Sequence, residues 1–212
     1  MKKISVLLVI LTAYVSERSL VYGGAVSWNY NEKATASGSG CNMENTFFLS
    51  AGDEVSIIFS NLGVELDGYQ GGSLEQRKFC RIKIPALIKK GFYLSSLSSS
   101  LLYGLVRSEE TEAHVSLQYR FLGANYFRNK DYGNSPQEPR NIPLAELRGK
   151  TRIRNPKRCG GKDFKSALFA RASVAASRKR VEEGVVIHLD GLSLRLDAVA
   201  SMEACQVRRA PR

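Results

Sequence analysis

From Thr46 onward the apolar residues come in short runs, alternating with polar ones or standing together, and turn residues break them; this is the pattern of strands. TFFLS, AGD and EVSIIF predict a hairpin over residues 46–59. Around Cys80 the set Cys80, Ile82, Ile84 alternates with Phe79, Arg81, Lys83, which puts one face inward and a basic face outward. Pro85 then ends that strand or places it at a sheet edge, because proline has no amide proton for a ladder. Residues 91–96 and 100–107 predict two further strands separated by LSSS. The cleanest alternation is at 113–122, where Val115, Leu117, Tyr119 and Phe121 oppose His114, Ser116, Gln118 and Arg120.

Residues 123–160 lose this periodicity and hold Pro136, Pro139, Pro143 and Pro156, so a long irregular loop is expected there, with one short helix near PLAELRG. Residues 164–176 predict a strand, and 184–199 a hairpin turning at Asp190-Gly191, a strong type I′ signal. The expected fold class is all-β: an antiparallel β-sandwich of jelly-roll-like order in a single domain, with one long irregular loop. An α+β fold competes if residues 177–183, SRKRVEE, or the 140s form a helix.

The N-terminus qualifies where this domain works. Lys2 and Lys3 precede the apolar run Ile4 to Val15, and Val21 with Gly23 suits a cleavage site, so residues 1–23 read as a signal peptide with a mature start at Gly24. The run falls short of the about 20 apolar residues that span a bilayer, leaving no transmembrane segment after cleavage. An uncleaved anchor is the alternative. Secretion or a periplasmic location follows, and the formal charge of +11 becomes +9 once Lys2, Lys3, Arg18 and Glu17 are removed. In an oxidising compartment Cys41, Cys80, Cys159 and Cys205 are expected to form two disulfides. Cys41–Cys80 with Cys159–Cys205 is favoured among three connectivities because each bond then closes a loop within one half of the domain. No CxxC pair is present and His114 and His188 are isolated, so neither a metal site nor a cofactor is expected.

SGSGC at 37–41, the hairpin ending in IIFSNLGVEL, and RKFCRIKIPALIKKGFYL at 77–94 together resemble the secreted family catalogued as domain of unknown function 4360. YRFLG at 119–123, RCGG at 158–161 and Cys205 extend the resemblance over most of residues 36–205. It implies export and the disulfide pairing just given. Asn42 departs from the proline usual after the first cysteine, and the C-terminal half is more basic than the family's. The resemblance implies no catalytic residues.

No nucleophile motif adjoins either histidine, Met43 stands where a Gly-rich nucleotide loop needs its third glycine, and Glu109, Glu110 and Glu112 read as a solvated turn. A non-enzymatic protein is therefore expected. The largest departure from background is RGKTRIRNPKR, where Arg148, Lys150, Arg152, Arg154, Lys157 and Arg158 stand without an acid. Such a run suits anionic polysaccharide or another envelope anion. It also reads as the solvated loop of a basic protein. Nucleic acid is disfavoured because the run lacks stacking aromatics. A second candidate, for neutral carbohydrate or protein binding, is the loop 124–134, with Tyr126, Phe127 and Tyr132 as stacking platforms beside Asn125 and Asn129; the same residues also suit anchoring a loop to the core. Neither ligand nor oligomeric state is specified by the sequence.

Overall fold

The computed structural model describes residues 24–28, 34–67, 73–133, 135, 137–153 and 162–200. The signal-peptide segment, Cys159, Cys205, Arg154, Lys157 and Arg158 lie outside these. Two antiparallel six-stranded sheets pack face to face, with no helix among the described residues. The first sheet comprises β1 (Val26–Trp28), β6 (Glu75–Ile88), β11 (Phe164–Arg178), β8 (Thr111–Phe121) and β9 (Ala124–Tyr132) in that order, with β2 (Thr35–Ser37) also along the outer flank of β6. The second runs β10 (Asn141–Arg152), β7 (Phe92–Arg107), β12 (Val185–Ala200), β4 (Glu54–Phe59), β3 (Thr46–Ala51), with β5 (Gly63–Leu66) also against β12. Most successive strands change sheet, so the core is built from distant parts of the chain.

The period of two explains the core. Cys80, Ile82 and Ile84 from β6 and Val115, Leu117, Tyr119 and Phe121 from β8 are buried, as their alternation requires. Between them β11 buries mostly small side chains, Ala170, Ala172, Val174 and Ala176, and Leu192, Leu194 and Leu196 of β12 are buried in the same core from the opposite sheet. Cys41 and Cys80 form a disulfide with a Cα separation of 5.3 Å. It fastens the SGSGC segment alongside β6, where Gly40 N–H donates to the Phe79 carbonyl at 3.1 Å and Phe79 N–H donates to Ser39 Oγ at 3.1 Å. Two buried arginines secure the turns at one end of the sandwich: Arg107 donates to the Thr111 carbonyl, and Arg178 to the carbonyls of Asp67, Val181 and Glu183.

Several expected boundaries are corrected. Of the two expected disulfides, Cys41–Cys80 is formed as expected, and the Cys159–Cys205 pair lies outside the described residues. Residues 92–107 form one strand, because Leu97, Ser99, Leu101, Tyr103, Leu105 and Arg107 keep one inward parity straight through the serines. Residues 185–200 also form one strand. Its buried positions switch from Val185, Ile187, Leu189 to Leu192, Leu194, Leu196, and a β-bulge at Asp190 absorbs the switch that otherwise demands a turn. Pro85 lies within β6, between residues 81–83, which pair with β2, and 86–88, which pair with β1, so its missing donor faces a gap on the outer flank. The long loop is replaced in large part by β9 and β10, and PLAELRG belongs to β10 rather than to a helix. Both are edge strands with a single ladder neighbour, which is why their apolar alternation is faint. Pro143 sits at the irregularity between Ile142 and Ala145 of β10.

The two sheets meet along this side through tyrosines. Tyr126 stacks on Tyr119 at 4.7 Å, and its hydroxyl donates to the Arg148 carbonyl at 3.2 Å. A Cβ at Gly149 would overlap the Tyr126 ring and hydroxyl, so glycine there is required by the close approach of β9 and β10. Leu122 and Gly123, at φ 49° and 79°, form the two-residue turn that delivers β9. Replacing Gly149 by alanine is expected to cost about 1–3 kcal/mol in denaturant unfolding. In a Tyr126→Ala background the same replacement costs much less, a coupling that a double-mutant cycle reads directly.

Candidate functional site

Of the basic run singled out in the sequence, Arg148, Lys150 and Arg152 lie exposed on the outer side of β10, while Arg154, Lys157 and Arg158 lie outside the described residues. Two of these cations have acid partners. Arg148 Nε lies 2.5 Å from Glu146 Oε2, and Lys150 Nζ lies 2.9 Å from Asp197 Oδ2. Ser100 Oγ donates to Glu146 at 2.5 Å and Ser96 Oγ to Asp197 at 2.5 Å. These serine hydrogen bonds first, and the neighbouring cations second, hold both carboxyls below the usual carboxylate range. The outer face of the second sheet is thus a serine-rich surface on which Arg148 and Lys150 are paired with acids held by serines.

The aromatic segment is split by strand parity. Asn125, Phe127 and Asn129 of β9 face outward, paired with Arg120, Gln118 and Ser116 of β8. Tyr126 and Tyr132 face the other way. Tyr132 is buried with its hydroxyl 2.7 Å from that of Tyr103, and Tyr126 is the half-buried partner of Tyr119. Burial pushes the Tyr119 hydroxyl up to about 12 and raises those of Tyr126 and Tyr132, so these rings are neutral structural posts. Phe127, by contrast, is 61% exposed.

The registers of β6, β11, β8 and β9 place outward residues in rows across the first sheet. One row reads Lys83, Phe169, Arg120, Asn125; the next reads Arg81, Arg171, Gln118, Phe127. Phe79, on β6, adjoins the second row. Arg81 and Arg171 lie over the Phe79 ring at 5.0 and 4.8 Å, while Lys83 and Arg120 lie over Phe169 at 6.0 and 5.2 Å. Each such contact is worth about 0.5–1 kcal/mol at an exposed site, enough to bias a flexible cation toward one position. None of the four has a carboxylate partner within salt-bridge distance among the described residues. Guanidinium groups laid on rings keep their donor edges available for forked contacts with carboxylate, sulfate or phosphate.

Arg81 and Lys83 were legible as an outward basic pair, and Arg120 as part of a polar face. That β11 lies between them, adding Phe169 and Arg171, was not, since this depends on long-range pairing.

No family model matches the chain, and no curated protein matches it. Among solved structures, the chain is similar to TmCBM61 in complex with β-1,4-galactotriose, at 8% identity over 82% of this chain and 92% of that one, TM-score 0.32. It is also similar to a carbohydrate-binding module of the β-sandwich superfamily, at 6% identity over 84% and 87%, TM-score 0.23. A third similarity is to the enzymatically active domain of bacteriophage CBA120 tailspike protein 4, at 13% identity over 84% of this chain and 22% of that one, TM-score 0.23.

Carboxylates bound the cationic rows at one end. Asp131 pairs with His114, its cross-strand neighbour, and accepts from Asn129 Nδ2 at 2.7 Å. His114 therefore has an acidic partner that the sequence did not suggest, because β9 read as loop. Glu109 pairs with Arg140 and Glu110 with Arg180 at the turn between β7 and β8. His188 lies 3.4 Å from Asp190 on the outer face of the second sheet. Among the described residues no group of three or more histidine, cysteine or acidic side chains is placed to hold a metal ion.

The depressed Asp197 carboxyl gives a testable sign. Its contribution to stability is present above the ordinary carboxylate pKa and is lost as pH falls through the lowered folded-state value. An NMR pH titration should find Asp197 titrating below 3.8, and Ser96→Ala should move it upward. No movement in that variant would mean that the serine does not hold the carboxylate.

Proposed function

We propose that this chain is a non-enzymatic, exported binding protein that grips acidic polysaccharide at or outside the cell envelope, using the outer face of its first sheet. The observation that carries this reading is the row arrangement of Arg81, Lys83, Arg120 and Arg171, four cations without acid partners among the described residues, held over Phe79 and Phe169. Cations compensated by neighbouring acids gain little from an added anion; uncompensated ones exchange only water and counterions for it. This moves the polyanion surface from the Arg148–Arg158 run to the opposite sheet. The Cys41–Cys80 disulfide supports an oxidising location, as does the resemblance to the secreted family named above. The rigid ladder on which the cations stand, with β11 paired along both flanks, supports recognition by a preformed surface.

The test is affinity for heparin as a generic polyanion, measured across ionic strengths. Arg120→Ala with Arg171→Ala should weaken binding at least about ten-fold, since hydrogen bonds to charged groups contribute about 1.5–3 kcal/mol each. It should also flatten the salt dependence. Arg148→Ala with Lys150→Ala should change affinity by less than about three-fold, in keeping with the small worth of exposed pairs. Equal loss in both double variants would return the surface to β10. Binding that ignores salt would remove the electrostatic reading altogether.

A further inference from the structure

The outer face of the first sheet has two zones of different chemistry. On β6 and β11 it is cationic, and both phenylalanines there carry cations over their rings. On β8 and β9 it is amide-rich and aromatic: Phe127 stands directly across from Gln118, with Asn125 two residues away on the same side of β9. No cation among the described residues lies over Phe127, so its ring is an open apolar platform bordered by groups that both donate and accept hydrogen bonds.

We infer that Phe127 seats one pyranose ring of the polysaccharide, with Gln118 and Asn125 taking its hydroxyls, while acidic groups on the following sugars reach Arg120 and Arg171. This rests on the polyanion reading of the same face and specifies its ligand: an acidic glycan read across the strands, not an anionic polymer of any backbone. Register sets the spacing. Arg120 is the diagonal neighbour of Phe127, about 7–8 Å away by backbone position. Arg171 lies two strands over in the same row, about 10 Å away. A chain laid from β9 toward β6 therefore meets a stacking platform, then one guanidinium, then a second. Single-stranded nucleic acid fits this order less well, because it calls for successive open platforms, and Phe79 and Phe169 are covered.

Phe127→Ala, a change at an exposed edge-strand residue, separates the possibilities when titrated with three probes: a hyaluronan octasaccharide, inorganic polyphosphate and a thymidine oligonucleotide. Unchanged melting temperature confirms that the fold is intact. The expected result is a loss of roughly ten-fold in hyaluronan affinity, the scale of one aromatic contact, with polyphosphate affinity unchanged. Equal effects on both, or none on either, would overturn the sugar platform. A loss confined to the oligonucleotide would overturn it in favour of base stacking. The double variant Arg120→Ala, Arg171→Ala tells the two levels apart. If it weakens both hyaluronan and polyphosphate while Phe127→Ala weakens neither, the cationic face stands and the sugar platform falls. If it weakens nothing, both fall.

Discussion

The structure depends on the parity of β11. This strand pairs with β6 along one flank and β8 along the other, so a single choice of facing fixes three strands at once. In the observed register Leu168, Ala170, Ala172, Val174 and Ala176 are buried beside Ile82, Ile84, Val115 and Leu117. A slip of one residue would carry Phe169 and Arg171 into the core and align charged positions of the neighbours against apolar ones. Burying an unpaired guanidinium is costly enough to forbid that alternative. The same constraint that assembles the core therefore lines up Arg81, Lys83, Arg120 and Arg171 on the outside.

Because the register is shared, the outer surface is a lattice, not a set of independent side chains. Cations from three strands meet over two rings, and β9 adds Asn125 and Phe127 as the next column. The opposite face is built by the same geometry but differs in what it displays. There serines from β7 hold Glu146 and Asp197 as carboxylates, and these in turn hold Arg148 and Lys150. Charge is present on both faces. On one face Arg81, Lys83, Arg120 and Arg171 have no acid partner among the described residues; on the other Arg148 and Lys150 do.

Sequence alternation sufficed for β6 and β8, each flanked on both sides, and for the local hairpin of β3 and β4. The hairpin at 46–59 and the facing of Cys80, Ile82, Ile84 and of Val115 to Phe121 were all legible, and so was the sandwich. It misled where a strand changes parity within itself. Asp190-Gly191 carries the composition of a hairpin turn, but a bulge satisfies the same switch without reversing the chain. It was too faint at the edges, where Arg128, Lys130, Arg148 and Lys150 meet solvent on strands with one ladder neighbour. The candidate site suffered for a related reason. A charge-dense run such as 148–158 stands out in one dimension, whereas four cations taken from β6, β8 and β11 become a cluster only through non-local pairing. Local density also conceals compensation, since the acid that answers Lys150 comes from residue 197.

The most direct test of a cationic and aromatic binding face is amide chemical-shift mapping of the folded protein titrated with a short acidic polysaccharide. Perturbations centred on Arg81, Lys83, Arg120, Phe127, Phe169 and Arg171, with β10 and β12 quiet, are the predicted result. Perturbations centred on Arg148 to Arg152, or none at concentrations that saturate a generic polyanion, would contradict it.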